Sequence, residues 1–439
     1  MTVPPPLLLL EGACSTAAAV SPADAAPAAD VVLDRLEGAW AEGRLVGLAH
    51  PAERAALAAA LGLESGLPLA GSPAAGSPAD GQPLPAGPAV VIGSGGSQGA
   101  RRWCLQPLEH LQASARASAA WLESLGLEPA HCLHLNPLPL HHVSGLLPLV
   151  RCRAWGAAMR RLEPAWLRDP ALLAAACPLP QDRPVLLSLV PTQLVRLIEH
   201  PQGRAWLQAC AVIWVGGAPL ACGTAAQARR HGLRLAPCYG ATETAAMVAA
   251  LPPARFLAGE EGCGTPLADV ALRLDPAGSG ALEVRTARLA TGWLEGGRLR
   301  PLERDGEGWW RSGDAARLEG GRLTLLGRLD GALHSGGETL FPESLEARLQ
   351  AAASAAGLPL AALLLLGLDH PEWGQQLAAL VRPLPEADGP ALLQALEAIT
   401  TSWRPAERPR QWRLCPPLAP GPSGKWERAR WRRWWWREL

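Results

Sequence analysis

The chain has 439 residues with 40 Lys+Arg against 40 Asp+Glu, and this zero net charge argues against nucleic acid or an anionic membrane as the main partner. Hydrophobic residues make up 49% and charged residues 18%, a globular composition, and the length calls for two or more domains. No stretch reaches the ~18 apolar residues of a spanning helix. The Leu7–Leu10 run has no basic segment before it and is too short for a signal sequence. Ten cysteines without a CxxC pair or zinc spacing read as reduced thiols of a soluble, cytoplasmic protein.

In chain order, residues 66–88 are Gly, Pro, Ala and Ser and read as a loop. Ala89–Ile92 follows as a short buried strand, running directly into Gly93-Ser94-Gly95-Gly96-Ser97-Gln98-Gly99. From 185 the pattern alternates. Val185–Val190 is a strand, Pro191–His200 a helix with proline in its first turn, and Ala211–Val215 a strand ending in Gly216-Gly217-Ala218. Pro219–His231 is a helix and Leu233–Ala236 a strand leading to Tyr239. Such alternation predicts an α/β fold with βαβ units on a parallel sheet, whose ligands bind beyond the carboxyl ends of the strands. From 281 the texture changes to short strands with glycine turns (Ala281–Arg285, Gly321–Leu326), a β-rich subdomain. After Arg328-Leu329-Asp330-Gly331 come Ser335-Gly336-Gly337-Glu338, a helix over Pro342–Ala352, a fully apolar strand over Ala361–Leu366 and a helix near 389–400. This predicts a large unit over 1–329 and a smaller α+β unit over 330–439. The tail from Trp426 is rich in Trp and Arg and reads as a helix packed on its own domain, with a membrane-surface or nucleic-acid helix as the alternative.

Lysine and tyrosine each occur once: Lys425, in Pro422-Ser423-Gly424-Lys425, and Tyr239, in Tyr239-Gly240-Ala241-Thr242-Glu243-Thr244. In a chain whose other 39 basic residues are arginine, a surviving lysine points to a need for a compact ammonium. Ser94, Gly95, Gly96 and Ser97 can wrap amides and hydroxyls around phosphate oxygens, although a surface turn fits them as well. They do not form a Walker A sequence. Gly216, Gly217 and Ala218 leave room for a flat ring against the backbone, or form an ordinary strand-to-helix turn. Around Gly240, Tyr239 can stack on a base, Thr242 can reach a phosphate, and Glu243 can hold Mg²⁺. A helix start capped by Thr242 or Thr244 is the plain alternative. Asp314, in Arg311-Ser312-Gly313-Asp314, can accept ribose hydroxyls and Arg328 can add a charged bond.

Together these motifs resemble the adenylate-forming superfamily of acyl-CoA ligases, luciferases and peptide-synthetase adenylation domains, over most of 89–428. The resemblance implies adenine stacking by Tyr239, phosphate contact by Thr242 and Mg²⁺ at Glu243. It also implies ribose contacts by Asp314 and Arg328, a hinge at Asp330, CoA passing Gly336 and Gly337, and a catalytic Lys425 between acyl carboxylate and α-phosphate. ATP, Mg²⁺ and CoA are the implied small molecules; the oligomeric state is left open. The phosphate loop departs from the family pattern in lacking a lysine, with Arg101 and Arg102 after it as candidate substitutes.

Leu138–Leu146 has no acidic residue to pair a substrate ammonium, which makes an amino acid a costly substrate. His141-His142-Val143-Ser144-Gly145-Leu146, Ser188–Leu194 and Trp373-Gly374-Gln375 are similar to the o-succinylbenzoate–CoA ligase branch of menaquinone and phylloquinone synthesis. That likeness makes His142, Ser188 and Thr192 candidates for the substrate's second carboxylate and His142 a contact on the thiol path. Ser188 and Thr192 also suit core packing or capping, and His141 a core histidine. Another acyl- or aryl-CoA ligase, or a nucleotide-binding relative without catalysis, is the alternative.

Overall fold

The computed structural model describes residues 8–11, 26–62, 82–95, 101–421 and 426–437. The parallel sheet expected from the 185–239 pattern is present, in the order 265–266, 246–250, 235–241, 212–215, 185–189, 133–136, 158–161. Its strands from Leu133 to Pro237 pair in parallel. The two at the other edge, Ala246–Ala250 and Thr265–Pro266, are antiparallel. A six-stranded sheet carries Leu8–Glu11, Leu45–Ala49, Ala89–Ser94, Arg102–Pro107, Gly292–Glu295 and Arg298–Pro301.

The helix Leu108–Glu123 lies between these two sheets, and its sequence shows why. Leu111 and Ala115, four apart, pack with Val90 and Ile92 of the six-stranded sheet. Ala117 and Leu122 pack with Leu186, Val212 and Trp214 of the seven-stranded one. A helix buried on two sides needs small residues for close approach, and Ser114, Ala115 and Ser118 are all fully buried. The neighbouring helix Val143–Trp155 is buried from Gly145 to Cys152 and stops at Gly156 in the left-handed conformation.

Several expected boundaries move, two of them in the run that leads to Tyr239. The helix expected from Pro219 begins at Cys222, because Ala221 is still extended at ψ 138 and serves as its N-cap. The strand expected over Leu233–Ala236 runs from Leu235 to Ala241, so Tyr239 lies inside a strand and not in a loop past it. The cause is the antiparallel partner Ala246–Ala250, a tertiary pairing that local sequence does not encode.

The β-rich region is a four-stranded antiparallel sheet of Ala271–Leu274, Ala281–Arg285, Trp310–Glu319 and Arg322–Arg328. Every strand of the remaining sheet follows Asp330: Leu333–Ser335, Glu338–Leu340, Leu360–His370, Gly374–Pro383 and Gln411–Leu414. A strand as uniformly apolar as Leu363–Leu366 must be covered on both faces. Leu363 and Leu365 meet Leu345, Leu349, Leu392 and Leu396 of the two helices. Leu364 and Leu366 meet Trp431 and Trp435 of the C-terminal helix Arg428–Arg437.

That helix is a structural cover, as the plainer reading of the tail expects. Arg428 donates to both carboxylate oxygens of Glu346, at 2.7 and 3.0 Å, and to the Leu365 carbonyl at 2.6 Å. Arg432 donates to the Gly367 carbonyl at 3.0 Å, and the Arg413 guanidinium sits 4.2 Å over the Trp435 ring. No helix among the described residues is long and apolar enough to cross a membrane.

Trp431 and Trp435 are each 1% exposed and Trp436 is 55% exposed. Trp431→Ala is therefore expected to cost about 3–5 kcal/mol and Trp436→Ala no more than about 0.5 kcal/mol, measured as urea unfolding free energies.

Candidate active site

The parallel pairing of Leu235–Ala241 with Val212–Val215 ends at Pro237, so Cys238–Ala241 overrun the carboxyl edge of the sheet. Ala246–Ala250 folds back on the overrun, and the link is one 3₁₀ turn, Thr242–Thr244. Its N-cap is Ala241, and Thr244, one of the two expected caps, closes it from the third position. Thr244 Oγ1 accepts from Ala241 N at 2.9 Å and donates to the Ala246 carbonyl at 2.7 Å. Ala245 and Ala246 follow at φ 51 and φ 72. Left-handed backbone in residues with a Cβ costs on the order of 1–3 kcal/mol each and persists only where the surroundings hold it. The surroundings do so through the turn carbonyls. Gln106 Nε2 donates to Thr242 O at 2.7 Å, Ala290 N to Glu243 O at 2.7 Å, and Arg288 Nη1 to Thr244 O at 2.6 Å. Gly240 faces this strand so closely that an added Cβ would lie 2.2 Å from Ala246 O.

Tyr239 is 7% exposed, and its hydroxyl donates to Asp314 Oδ2 at 2.6 Å. Burial and the Asp314 carboxylate both hold the phenol well above its ordinary pKa, so it stays a donor. Arg328 Nη1 bonds Asp314 Oδ1 at 3.3 Å, and Arg328 Nε bonds Asp330 Oδ1 at 3.3 Å. The expected base, ribose and hinge residues thus form one connected chain. Gly313 makes it possible: the Arg328 guanidinium lies where a side chain would start, 2.3 Å from an ideal Cβ.

Ser94 and Glu243, 149 positions apart, meet through a 3.0 Å bond from Ser94 Oγ to Glu243 Oε1. Glu243 keeps an opening to solvent although protein surrounds it. Burial raises its pKa, with the Ser94 bond and the Arg102 and Arg328 charges acting against the rise. No basic side chain among the described residues lies within 4.0 Å of it. A set-back carboxylate and hydroxyl without a direct counter-ion are hard oxygen donors that suit Mg²⁺. Gly95 is the last described residue of the phosphate loop; Gly96, Ser97 and Lys425 lie outside the described residues. Of the two arginines expected to serve the loop, Arg101 pairs with Glu53 at 2.8 Å and Arg102 stacks 3.7 Å over the Trp293 ring.

Gly216, Gly217 and Ala218 follow the Val212–Val215 strand, with Gly216 against Cys238 Sγ. Ser188 is buried in the Val185–Leu189 strand, its hydroxyl 3.2 Å from His134 Nε2. Thr192 is half-buried in the first turn of Pro191–Glu199. His142 is the N-cap residue of Val143–Trp155, its ring 4.5 Å from that of His141. Burial and the neighbouring His142, Arg101 and His50 push His141 down to about 3, so it is a neutral buried histidine, as its plainer reading expects. Asp330 stands in the turn after Arg322–Arg328, and Gly336 packs on the Trp373 ring with Gly337 beside it.

Sequence reasoning missed Arg151. It is 4% exposed and lies in the helix Val143–Trp155 with its guanidinium 4.9 Å from the Trp214 ring centroid. No carboxylate pairs with it among the described residues, and its Nε has no hydrogen-bond partner. Burial lowers its pKa to about 10, leaving it charged at neutral pH. It shares the Trp214 ring with His134, whose Nε2 lies 3.2 Å from the Ser188 hydroxyl, and it acts electrostatically on His134 and Cys238. An arginine directly after the apolar run Leu146-Leu147-Pro148-Leu149-Val150 was the available signal.

A nucleotide-sized chain of base, ribose and metal candidates at the carboxyl edge of a parallel sheet defines a class. The family model for AMP-binding enzymes matches residues 14–293, well over half of the chain, and the chain belongs to that family. It is 36% identical over 212 residues to the 2-succinylbenzoate–CoA ligase of Salmonella typhimurium, covering 48% of this chain and 42% of that one. It is 26% identical over 346 residues to the ligase of the same name from Enterococcus faecalis, covering 77% and 67%. Wild-type E. coli MenE with a bound m-phenylether-linked analogue of OSB-AMS superimposes with a TM-score of 0.59 at 26% identity, covering 80% of this chain and 70% of that one. The chain spans under half the length of the Salmonella relative.

His134 is fully buried, and burial with the Arg151 charge pushes it down to about 3 from 6.5. The unfolded chain takes up a proton near pH 6.5 that the folded chain refuses. Stability is then full above about 6.5 and falls as pH drops toward 3. His134→Gln keeps a partner for Ser188 and removes the proton site. Between pH 6 and 5 its unfolding free energy should fall less steeply than that of the unaltered protein, by up to about 1.4 kcal/mol per pH unit.

Proposed function

We propose that this protein is an AMP-forming acid–CoA ligase that converts o-succinylbenzoate to its CoA thioester. The observation that carries the substrate is Arg151, a buried guanidinium with no carboxylate partner among the described residues, which shares the Trp214 ring with His134, the neighbour of Ser188. An uncompensated buried charge is strongly unfavourable, and a dicarboxylate supplies what is missing: one carboxylate pairs with Arg151 while the other faces the nucleotide. The 2-succinylbenzoate–CoA ligase relatives support this assignment.

In the first half-reaction the free carboxylate attacks the α-phosphorus of ATP and pyrophosphate leaves. Tyr239 flanks the adenine, its ring fixed by the bond to Asp314. Asp314 and Arg328 receive the ribose, and Thr242 reaches the phosphates from a turn whose backbone is held at three carbonyls. Mg²⁺, held by Glu243 with Ser94 behind it, would supply positive charge against the phosphates. Lys425 brings a compact ammonium between acyl carboxylate and α-phosphate. Positioning and charge neutralisation account for most of the catalysis. In the second half-reaction the CoA thiol displaces AMP.

The division into 1–329 and 330–439 is part of the proposal, with Asp330 absorbing the rotation. The sheet built entirely after Asp330 supports it, as does Arg328, which holds Asp314 on one side and Asp330 on the other. Rotation about Asp330 exchanges Lys425 for the face of Gly336 and Gly337, past which pantetheine enters, with His142 on the thiol path.

CoA-dependent AMP formation with o-succinylbenzoate, set against benzoate and fatty acids, tests the assignment. Comparable rates for a simple benzoate would move it to another acyl-CoA ligase. Arg151→Met should lower kcat/KM for o-succinylbenzoate by ~10²-fold or more while leaving benzoate little changed, since a site built for a polar group depends on that pairing. Lys425→Arg keeps the charge but spreads it over a planar fork. Pyrophosphate exchange should fall by ~10²-fold or more, the scale of one transition-state donor, while thioester formation from supplied acyl-adenylate survives. Equal loss of both half-reactions would remove the assigned role.

A further inference from the structure

We infer that Arg288 is a positioning residue that holds the Thr242–Glu243 turn in its metal-binding shape; this rests on the nucleotide-site reading above. Arg288 is 0% exposed and lies between the strands Ala281–Arg285 and Gly292–Glu295. All three guanidinium nitrogens are engaged. Nε donates to Asp269 Oδ2 at 2.6 Å. Nη1 donates to Thr244 O at 2.6 Å and Ser114 Oγ at 3.3 Å. Nη2 donates to Met247 O at 2.9 Å and Asp269 Oδ1 at 3.3 Å.

The two carbonyls it bridges stand on either side of Ala245 and Ala246, the left-handed pair. The hairpin register shifts between Met247 and Ala249, so the strand ladder is interrupted at this point. A buried donor must satisfy these carbonyls or the turn relaxes. A planar fork reaches both at once, and a lysine ammonium, whose donors radiate from one point, does not. Two residues on, Ala290 N donates to Glu243 O at 2.7 Å. Arg288 and Ala290 therefore grip the turn from Glu243 to Met247 from a single loop, and the Glu243 carboxylate is aimed by that grip. Burying a full charge is expensive. Here the cation sits where strained backbone carries the metal candidate.

The test compares the full-length protein with Arg288→Met and Arg288→Lys by calorimetric titration with AMP, and with ATP in the presence and absence of Mg²⁺. Groups that orient a metal ligand typically control ~10- to 100-fold in metal affinity. In Arg288→Met, AMP affinity should stay within about threefold of the unaltered protein, while the Mg²⁺-dependent gain in ATP affinity falls ~10-fold or more. Arg288→Lys, which keeps the charge beside Asp269, should fall between. Should Arg288→Met not fold, Arg288→Lys carries the comparison. An unchanged Mg²⁺ gain in the variants, with AMP binding intact, overturns this inference alone. Equal loss of AMP and ATP affinity also overturns it, since that marks a purely structural role. Failure of the unaltered protein to bind AMP overturns the nucleotide-site reading, and this inference with it.

Discussion

The hydrogen bond from Tyr239 to Asp314, 2.6 Å long, joins the parts of the molecule that have to act together. Tyr239 belongs to the seven-stranded sheet and Asp314 to the four-stranded one. Asp314 passes the contact to Arg328 and Arg328 passes it to Asp330. One carboxylate thereby orients an aromatic ring and a guanidinium that reaches on to Asp330. A charge-assisted bond of this kind is short and directional, and the missing side chain at Gly313 is what lets Arg328 lie against it.

The second constraint is the treatment of arginine. Some guanidiniums are built into the fold with all their charge answered: Arg428 by Glu346 and Glu343, Arg288 by Asp269 and two carbonyls. Others pack as flat surfaces on aromatic rings, as Arg102 does on Trp293 and Arg413 on Trp435. Arg151 differs in being buried and stacked on Trp214 with no acidic partner among the described residues. Among the described residues Arg288, the other buried arginine, has Asp269 as its counter-ion, and Arg151 has none.

The turn after Tyr239 shows how the site is held at a cost. Its three carbonyls point to three separate donors, from Gln106, Ala290 and Arg288. With those groups committed inward, the Thr242 and Glu243 side chains stay half-exposed. A loop of this sequence alone would relax away from two left-handed alanines. The enclosing sheets prevent it.

The sequence by itself determined the parallel sheet, because hydrophobic runs alternating with proline- and glycine-bounded helices leave few other arrangements. It also singled out Tyr239, Glu243, Asp314 and Arg328 as candidates through the motifs they sit in, beside plainer structural readings of the same residues. The double-sided burial of Leu363–Leu366 was legible too, from an unbroken apolar run, and with it the cover that the Trp-rich tail provides. The tertiary structure alone decided that Leu235–Ala241 runs on through Tyr239, because a partner strand, not local propensity, supplies the hydrogen bonds. It alone set Ala245 and Ala246 left-handed, a conformation for which alanine carries no signal. Arg151 stands out in the sequence only as an arginine after an apolar run, and its surroundings, like those of Arg288, became visible only there. Their meaning lies in which acids and carbonyls stand near them, and those partners come from segments far apart in the chain.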